Sequence, residues 1–168
     1  GIAFASIAGA TSATYTSTPL NVDTWFRRLS TADVGGFTCT EITDTIFVKV
    51  IIFDPGTISS DQVVCEGTAP LAFTSGKPTG NGVFTYQWQS SLDGVSYSNI
   101  TGATNETFGA SALSADTYYR RQVTSTLNGA SCQELTAPIL VTVNNLTPGT
   151  ISGTQTICEG GTPVAFTQ

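Results

Sequence analysis

No histidine occurs in the chain, and no methionine. Without an imidazole there is no Ser–His or Cys–His pair to activate a nucleophile, and neither a Gly-x-Ser-x-Gly elbow nor a phosphate loop takes its place. Zinc loses its usual nitrogen ligand, and the 4 cysteines show no CxxC spacing. Charge is scarce as well: 11% of residues are Asp, Glu, Lys or Arg, with 12 acidic against 6 basic. A net charge of −6 argues against the basic face that nucleic acid needs, and against docking on anionic lipid. No apolar run approaches the ~20 residues that span a bilayer. The start, Gly1-Ile2-Ala3-Phe4, lacks the basic region of a signal peptide, so any export signal is expected outside this segment. These absences predict no catalytic residue, no metal, no cofactor, no nucleic-acid partner and no membrane-inserted stretch.

What is present is a repeat. Gly1 aligns with Gly94, Cys39 with Cys132, Pro55 with Pro148 and Phe73 with Phe166, at a constant offset of 93 residues and with no gap. About 32 of the 75 overlapping positions are identical. A repeat of this size is a small domain rather than a solenoid rung. Residues 55–147 are expected to form one complete unit, 1–54 the back part of the preceding unit, and 148–168 the start of the next. The overlap has no counterpart of Gly76–Asp93, so each partial unit is expected to need strands from further chain or from a neighbouring molecule.

Ser, Thr, Gly and Asn fill the polar positions, while 40% apolar and 10% aromatic residues suffice for a core. Short alternating runs between turn signals predict an all-β sandwich with almost no helix. Strands are expected over 57–65, 71–74, 83–90, 95–100, 117–126 and 134–143, with a short one beginning at 107–108 near 112–113. Phe84, Tyr86 and Trp88 share one strand face, and Ile139, Val141 and Val143 alternate inward. Trp88, Tyr86, Tyr119, Ile139, Val141 and Val143 are therefore the expected core. Asp93-Gly94 and Asn128-Gly129 are tight-turn signals, and Gly35-Gly36 takes the place of the latter in the first copy. Pro138 lies inside the last strand and predicts an edge or a bulge there.

The cysteines fall into two equivalent pairs, Cys39 with Cys132 and Cys65 with Cys158. Each unit thus carries two, as in Cys65 and Cys132, 67 residues apart. An intradomain Cys65–Cys132 disulfide is expected, stabilising by about 4 kcal/mol through loop closure and implying an oxidising compartment. Cys39 and Cys158 would then pair outside this segment. The rival pairing is Cys39–Cys65, a staple across the junction.

The sharpest polar feature is an arginine pair found in both copies, Arg27-Arg28 and Arg120-Arg121. Adjacent strand residues face opposite ways, so one Arg of each pair must point coreward or to an edge. Either the pair contacts a ligand or partner, or one Arg stacks on an aromatic such as Trp88 or meets an acidic group. Glu66 and Glu159 have no fixed second acid to make a hydrolase pair. Asp54 and Asp61 become Thr147 and Thr154 one period later, which weighs against a calcium site at the junctions.

A string of residues carries a resemblance: Tyr86-Gln87-Trp88-Gln89, Asp93-Gly94, Ile100-Thr101-Gly102-Ala103-Thr104 and Asp116-Thr117-Tyr118-Tyr119-Arg120-Arg121. Pro148-Gly149-Thr150-Ile151-Ser152 with Ile157-Cys158-Glu159-Gly160-Gly161 completes it. It resembles the tandem Ig-like repeats of giant secreted adhesin-like surface proteins of Bacteroidetes, including gliding-motility-associated products of type IX secretion. The resemblance implies an extracellular, cell-surface location and a stalk or filament role, with adjacent repeats or identical neighbouring chains as partners. Two other readings stand beside it: a module binding surface glycans through Trp25, Tyr97 or Tyr118, and an accessory segment of a secreted enzyme.

Overall fold

The structure is a computed structural model that describes residues 3–74 and 76–166, with no helix among them. The leading part carries β1 (Thr24–Phe26), β2 (Leu29–Val34), β3 (Phe37–Ile42), β4 (Ile46–Val48) and β5 (Phe53–Asp54). The remainder carries β6 (Gln62–Cys65), β7 (Thr79–Gly80), β8 (Val83–Ser91), β9 (Ser98–Asn99), β10 (Thr117–Leu127), β11 (Ala130–Leu135) and β12 (Ile139–Asn144).

A 6-stranded sheet dominates, with β10 at its centre. β8 flanks β10 on one edge, while β11 and then β12 pair along the other. β9 lies beyond β8, and β6 closes the far edge by running parallel to β12. Along β10, Thr117, Tyr119, Arg121, Val123 and Ser125 are buried in strict alternation, the period of a strand covered on one face. Trp88 lies opposite Arg121 and Tyr86 opposite Val123, so the aromatics of β8 share that inner face.

A thinner layer covers it. Thr68 bridges Leu113 and Phe73 bridges Phe108, so the strands expected at 71–74 and 107–113 are reduced to single contacts. The expected first strand, 57–65, is laddered only over Gln62–Cys65. Phe73, Trp88, Tyr119, Ile139 and Val141 form the buried core, with Ile58, Val64, Phe108 and Leu113 packed against it, and Val143 half-buried. The rings of Phe73, Trp88, Phe108 and Tyr119 lie 4.8–6.1 Å apart. Such tilted pairs contribute about 0.5–1.5 kcal/mol each beyond their buried area. This layered all-β arrangement is consistent with a β-sandwich.

Pro138 acts as expected. Tyr119 pairs with Ile139 and Gln122 with Leu135, so Arg120-Arg121 face the three residues Thr136-Ala137-Pro138. The extra residue makes a β-bulge. It is held by Arg121 N donating to Thr136 Oγ1 (3.0 Å) and Thr136 N donating to Arg121 O (3.0 Å). The leading part repeats this: Arg28 N donates to Thr43 Oγ1 (2.9 Å) and Thr43 N to Arg28 O (3.0 Å). The ladders repeat too. Thr24 pairs with Val48 as Thr117 does with Val141, and Leu29 with Ile42 as Gln122 does with Leu135. Asn128-Gly129 and Gly35-Gly36 all have positive φ, between 50° and 84°, the backbone shape of a tight hairpin turn.

The cysteines require a correction. Cys39, Cys65, Cys132 and Cys158 are all free and exposed, and neither expected pairing is formed. Cys132 lies opposite Ser125, near the β10–β11 hairpin, whereas Cys65 lies beside Asn144 at the far end of β12. At about 3.3 Å per residue, the strand line from Cys132 to Asn144 spans roughly 35–40 Å. A disulfide tolerates a Cα separation of under ~7 Å. The two side chains also face differently: Cys132 shares the inner face with Ser125, and Cys65 points outward past the inward Val64. Cys39 occupies the place of Cys132 in the leading part, so it too lies at a hairpin and not at the junction.

Candidate functional site

The residues that converge most densely are the arginine pair and the joint between the leading part and the large sheet. At the bulge the two arginines part company, as the strand period requires. Arg121 turns inward and is 0% exposed. Its Nη1 donates to Glu106 O (2.9 Å) and its Nη2 to Pro55 O (2.9 Å) and Gly76 O (3.4 Å). Its guanidinium lies 4.9 Å from the Tyr86 ring and 5.9 Å from that of Trp88. Burial pushes its pKa down, opposed by the charges of Tyr86 and Glu106, yet an arginine so placed stays protonated. The arrangement is a cation held by backbone carbonyls from three separate loops.

Arg120 turns outward. Its guanidinium covers the Tyr97 ring at 3.8 Å and its Nε donates to Gln89 Oε1 (2.7 Å). The leading part mirrors both positions: Arg27 lies 4.0 Å over Phe4, and Arg28 Nη1 donates to Ala13 O (3.4 Å). Each of these residues stands 93 positions before its counterpart.

The short Asp54-Pro55-Gly56 junction predicts a close joint, but the part that Asn81 plays in it was not legible in the sequence. Asn81 N donates to Ile52 O (3.1 Å), Ile52 N donates to Asn81 Oδ1 (3.0 Å), and Asn81 Nδ2 donates to Val50 O (3.0 Å). Asn81 O accepts from the buried Ser125 hydroxyl (2.6 Å), which ties the joint to β10. β5 pairs with β7, and Phe53 packs on Phe84 at 5.8 Å. Gly80, at φ 129°, leaves no room for a Cβ against Ile52 O and Phe53. A side-chain amide between two glycines resembles an ordinary loop, and the overlap holds no second copy of Asn81 to mark it.

The other expected residues are placed as follows. Trp88 is buried and its Nε1 donates to Asn105 O (2.9 Å). Tyr119 packs on Phe73 at 4.8 Å, and burial raises its pKa. Asp54 and Asp61 accept from backbone amides, of Gly56 (2.6 Å) and Leu140 (2.8 Å). Among the described residues no three His, Cys, Asp or Glu gather as a metal cluster. Trp25 stacks on Phe47 in the leading part, Tyr97 lies under Arg120, and Tyr118 packs over Gly94. Gln62, which clasps Leu71 through both N (2.9 Å) and O (3.1 Å), was also missed; its identity with Gln155 was the available signal.

Among known proteins, no curated protein and no solved structure matches the chain. One family model does, over residues 1–52 and again over residues 54–145, with the break falling at the joint. Together these stretches cover most of the sequence, and the chain belongs to the family described as Domain of unknown function (DUF8696).

Proposed function

We propose that this chain is a spacer segment of a long extracellular, surface-attached protein, built from tandem Ig-like sandwiches with a period of 93 residues. Residues 55–147 would be one complete unit, with 1–54 and 148–168 belonging to the units on either side. The function is mechanical: to carry a distal part of the protein away from the surface. Partners are adjacent units of the same chain or identical neighbouring chains.

The observation that carries this reading is the parallel pairing of the first and last strands of the unit, β6 with β12, over four registered residue pairs from Gln62↔Val141 to Asn144↔Cys65. Because they run parallel, the unit receives the chain at one pole and releases it at the other. A pull along the axis then loads these backbone bonds in shear, all together. The joint at Asn81 supports the same reading, since it replaces a loose linker with backbone-level pairing. The resemblance to secreted surface repeats supplies the location.

Electron microscopy of the protein that contains this segment tests the proposal. The expected image is a beaded thread with a repeat of roughly 40 Å, the length of a strand of about ten residues plus its turns. Isolated compact particles would rule the spacer role out.

A further inference from the structure

Arg120 is held in place but has no charge partner. Its guanidinium lies 3.8 Å from the centre of the Tyr97 ring, and its Nε donates to Gln89 Oε1 (2.7 Å). Gln89 is fixed in turn, because its Nε2 donates to Asn99 Oδ1 (2.8 Å). Among the described residues, Nη1 and Nη2 of Arg120 make no hydrogen bond, and the one ion pair is Lys49 with Asp23. An arginine keeps its charge at any ordinary pH, and two such nitrogens match the two oxygens of a carboxylate. The leading part repeats the device: Arg27 lies 4.0 Å over Phe4, 93 positions before Arg120 and Tyr97. Tyr becomes Phe there, so the ring under the cation recurs and the hydroxyl does not.

The face around Arg120 carries no negative charge. Glu134 is the only acid within β6, β8, β9, β10, β11 and β12, and it lies opposite the inward Val123. Asp93, in the turn between β8 and β9, gives its Oδ1 to the Ser91 hydroxyl and to the amides of Val95 and Ser96. At physiological salt, charges more than about 8 Å apart are largely screened, so the net −6 of the whole chain does not decide what this face meets. Amides and hydroxyls fill it. Gln122 Nε2 donates to Gln133 Oε1 (3.0 Å), and the Thr126 and Ser131 hydroxyls share a bond (2.9 Å). Asn99 Nδ2 and Gln133 Nε2 make no bond among the described residues. From β9 through β8 and β10 to β11 the row crosses three strand spacings, roughly 14–15 Å.

We propose that this face binds glycan, with Arg120 clasping the carboxylate of a uronic acid set among neutral sugars. Nη1 and Nη2 meet the two carboxylate oxygens, while Asn99, Gln122 and Gln133 meet hydroxyls of the neighbouring rings. Tyr97 takes part through the arginine it supports. An acidic peptide offers the same carboxylate, but peptide recognition draws on a free strand edge or an apolar groove. Arg120 lies instead on the central strand, among amides. A single contact of this kind is weak, and its recurrence at Arg27 lets one glycan chain or one glycan surface engage both. The site adds a ligand to the spacer reading and does not depend on it.

A sensor surface coated with oligosaccharides of alternating glucuronate and N-acetylglucosamine tests it. The same oligosaccharides with their carboxylates reduced to primary alcohols form one comparison surface, and polyglutamate forms another. The 168-residue chain is expected to bind the acidic oligosaccharide about tenfold more tightly than either, or better. Arg120→Ala should lose about tenfold in affinity. Arg120→Lys keeps the charge but not the paired nitrogens, and should lose most of the same affinity. No binding, equal binding to the reduced sugar, equal binding to polyglutamate, or full affinity in either variant overturns the proposal. None of these outcomes bears on the beaded thread, so the site and the spacer role fail separately.

Discussion

Arg121 shows how one side chain replaces a cross-link. Its guanidinium reaches carbonyls of Pro55, Gly76 and Glu106, positions from three different loops. Burying a cation is costly unless its donors are satisfied, and removing it strips these three carbonyls of a shared charged donor. Arg121→Met should therefore cost about 3–5 kcal/mol, read as a lower urea midpoint. Arg120→Ala should cost about 1 kcal/mol or less, because its cation–π contact and its bond to Gln89 sit on the solvent face. Equal losses for both would refute the division of labour. The sequence revealed that the two arginines must diverge, through the strand period. It did not reveal that the inward one meets backbone carbonyls rather than an acid, since those carbonyls come from loops that only the fold assembles.

The turn after β8 couples stability to pH. Asp93 accepts from the Ser91 hydroxyl (2.7 Å) and from the amides of Ser96 (2.7 Å) and Val95 (2.8 Å). The Ser91 hydroxyl first, and then those amides, hold its carboxyl well below the ordinary range. A depressed folded pKa contributes stability above the unfolded value of about 4 and loses it as pH falls through the folded value. Urea midpoints measured from neutral pH into acid should show Asp93→Asn less stable at neutrality, with the gap to the natural protein closing below about pH 4. A gap independent of pH would dismiss the carboxylate's role. At this scale much was legible: the alternation of Phe84, Tyr86 and Trp88, the turn at Asn128-Gly129, and the bulge announced by Pro138. The covering layer was not. Its contacts at 68–74 and 108–113 are single bridges, held by Phe73 and Phe108 packing rather than by a ladder that alternation can forecast.

For the molecule as a whole, the cysteines are the main lesson. Sequence spacing reports how long a disulfide loop would be, and says nothing of which pole each strand reaches. Cys65 and Cys132 end at opposite poles because β6 runs parallel to β12 while β11 lies at the hairpin end of β10. Cys65→Ser should move the thermal midpoint by no more than about 2–4 °C, since an exposed surface change is worth at most about 0.5 kcal/mol. All 4 thiols should react with a thiol reagent under native conditions. A protected pair, or a marked fall in the midpoint, would restore the clamp.

That placement decides how far the molecule yields. A cross-link joining the first and last strands would fence off most of a unit's chain from any pull. With no such bond, a unit that gives way pays out all of its roughly 93 residues, on the order of 300 Å at about 3.3 Å each. Folded, the same residues reach about 40 Å. On the spacer reading proposed above, the chain would lengthen by nearly an order of magnitude, one unit at a time.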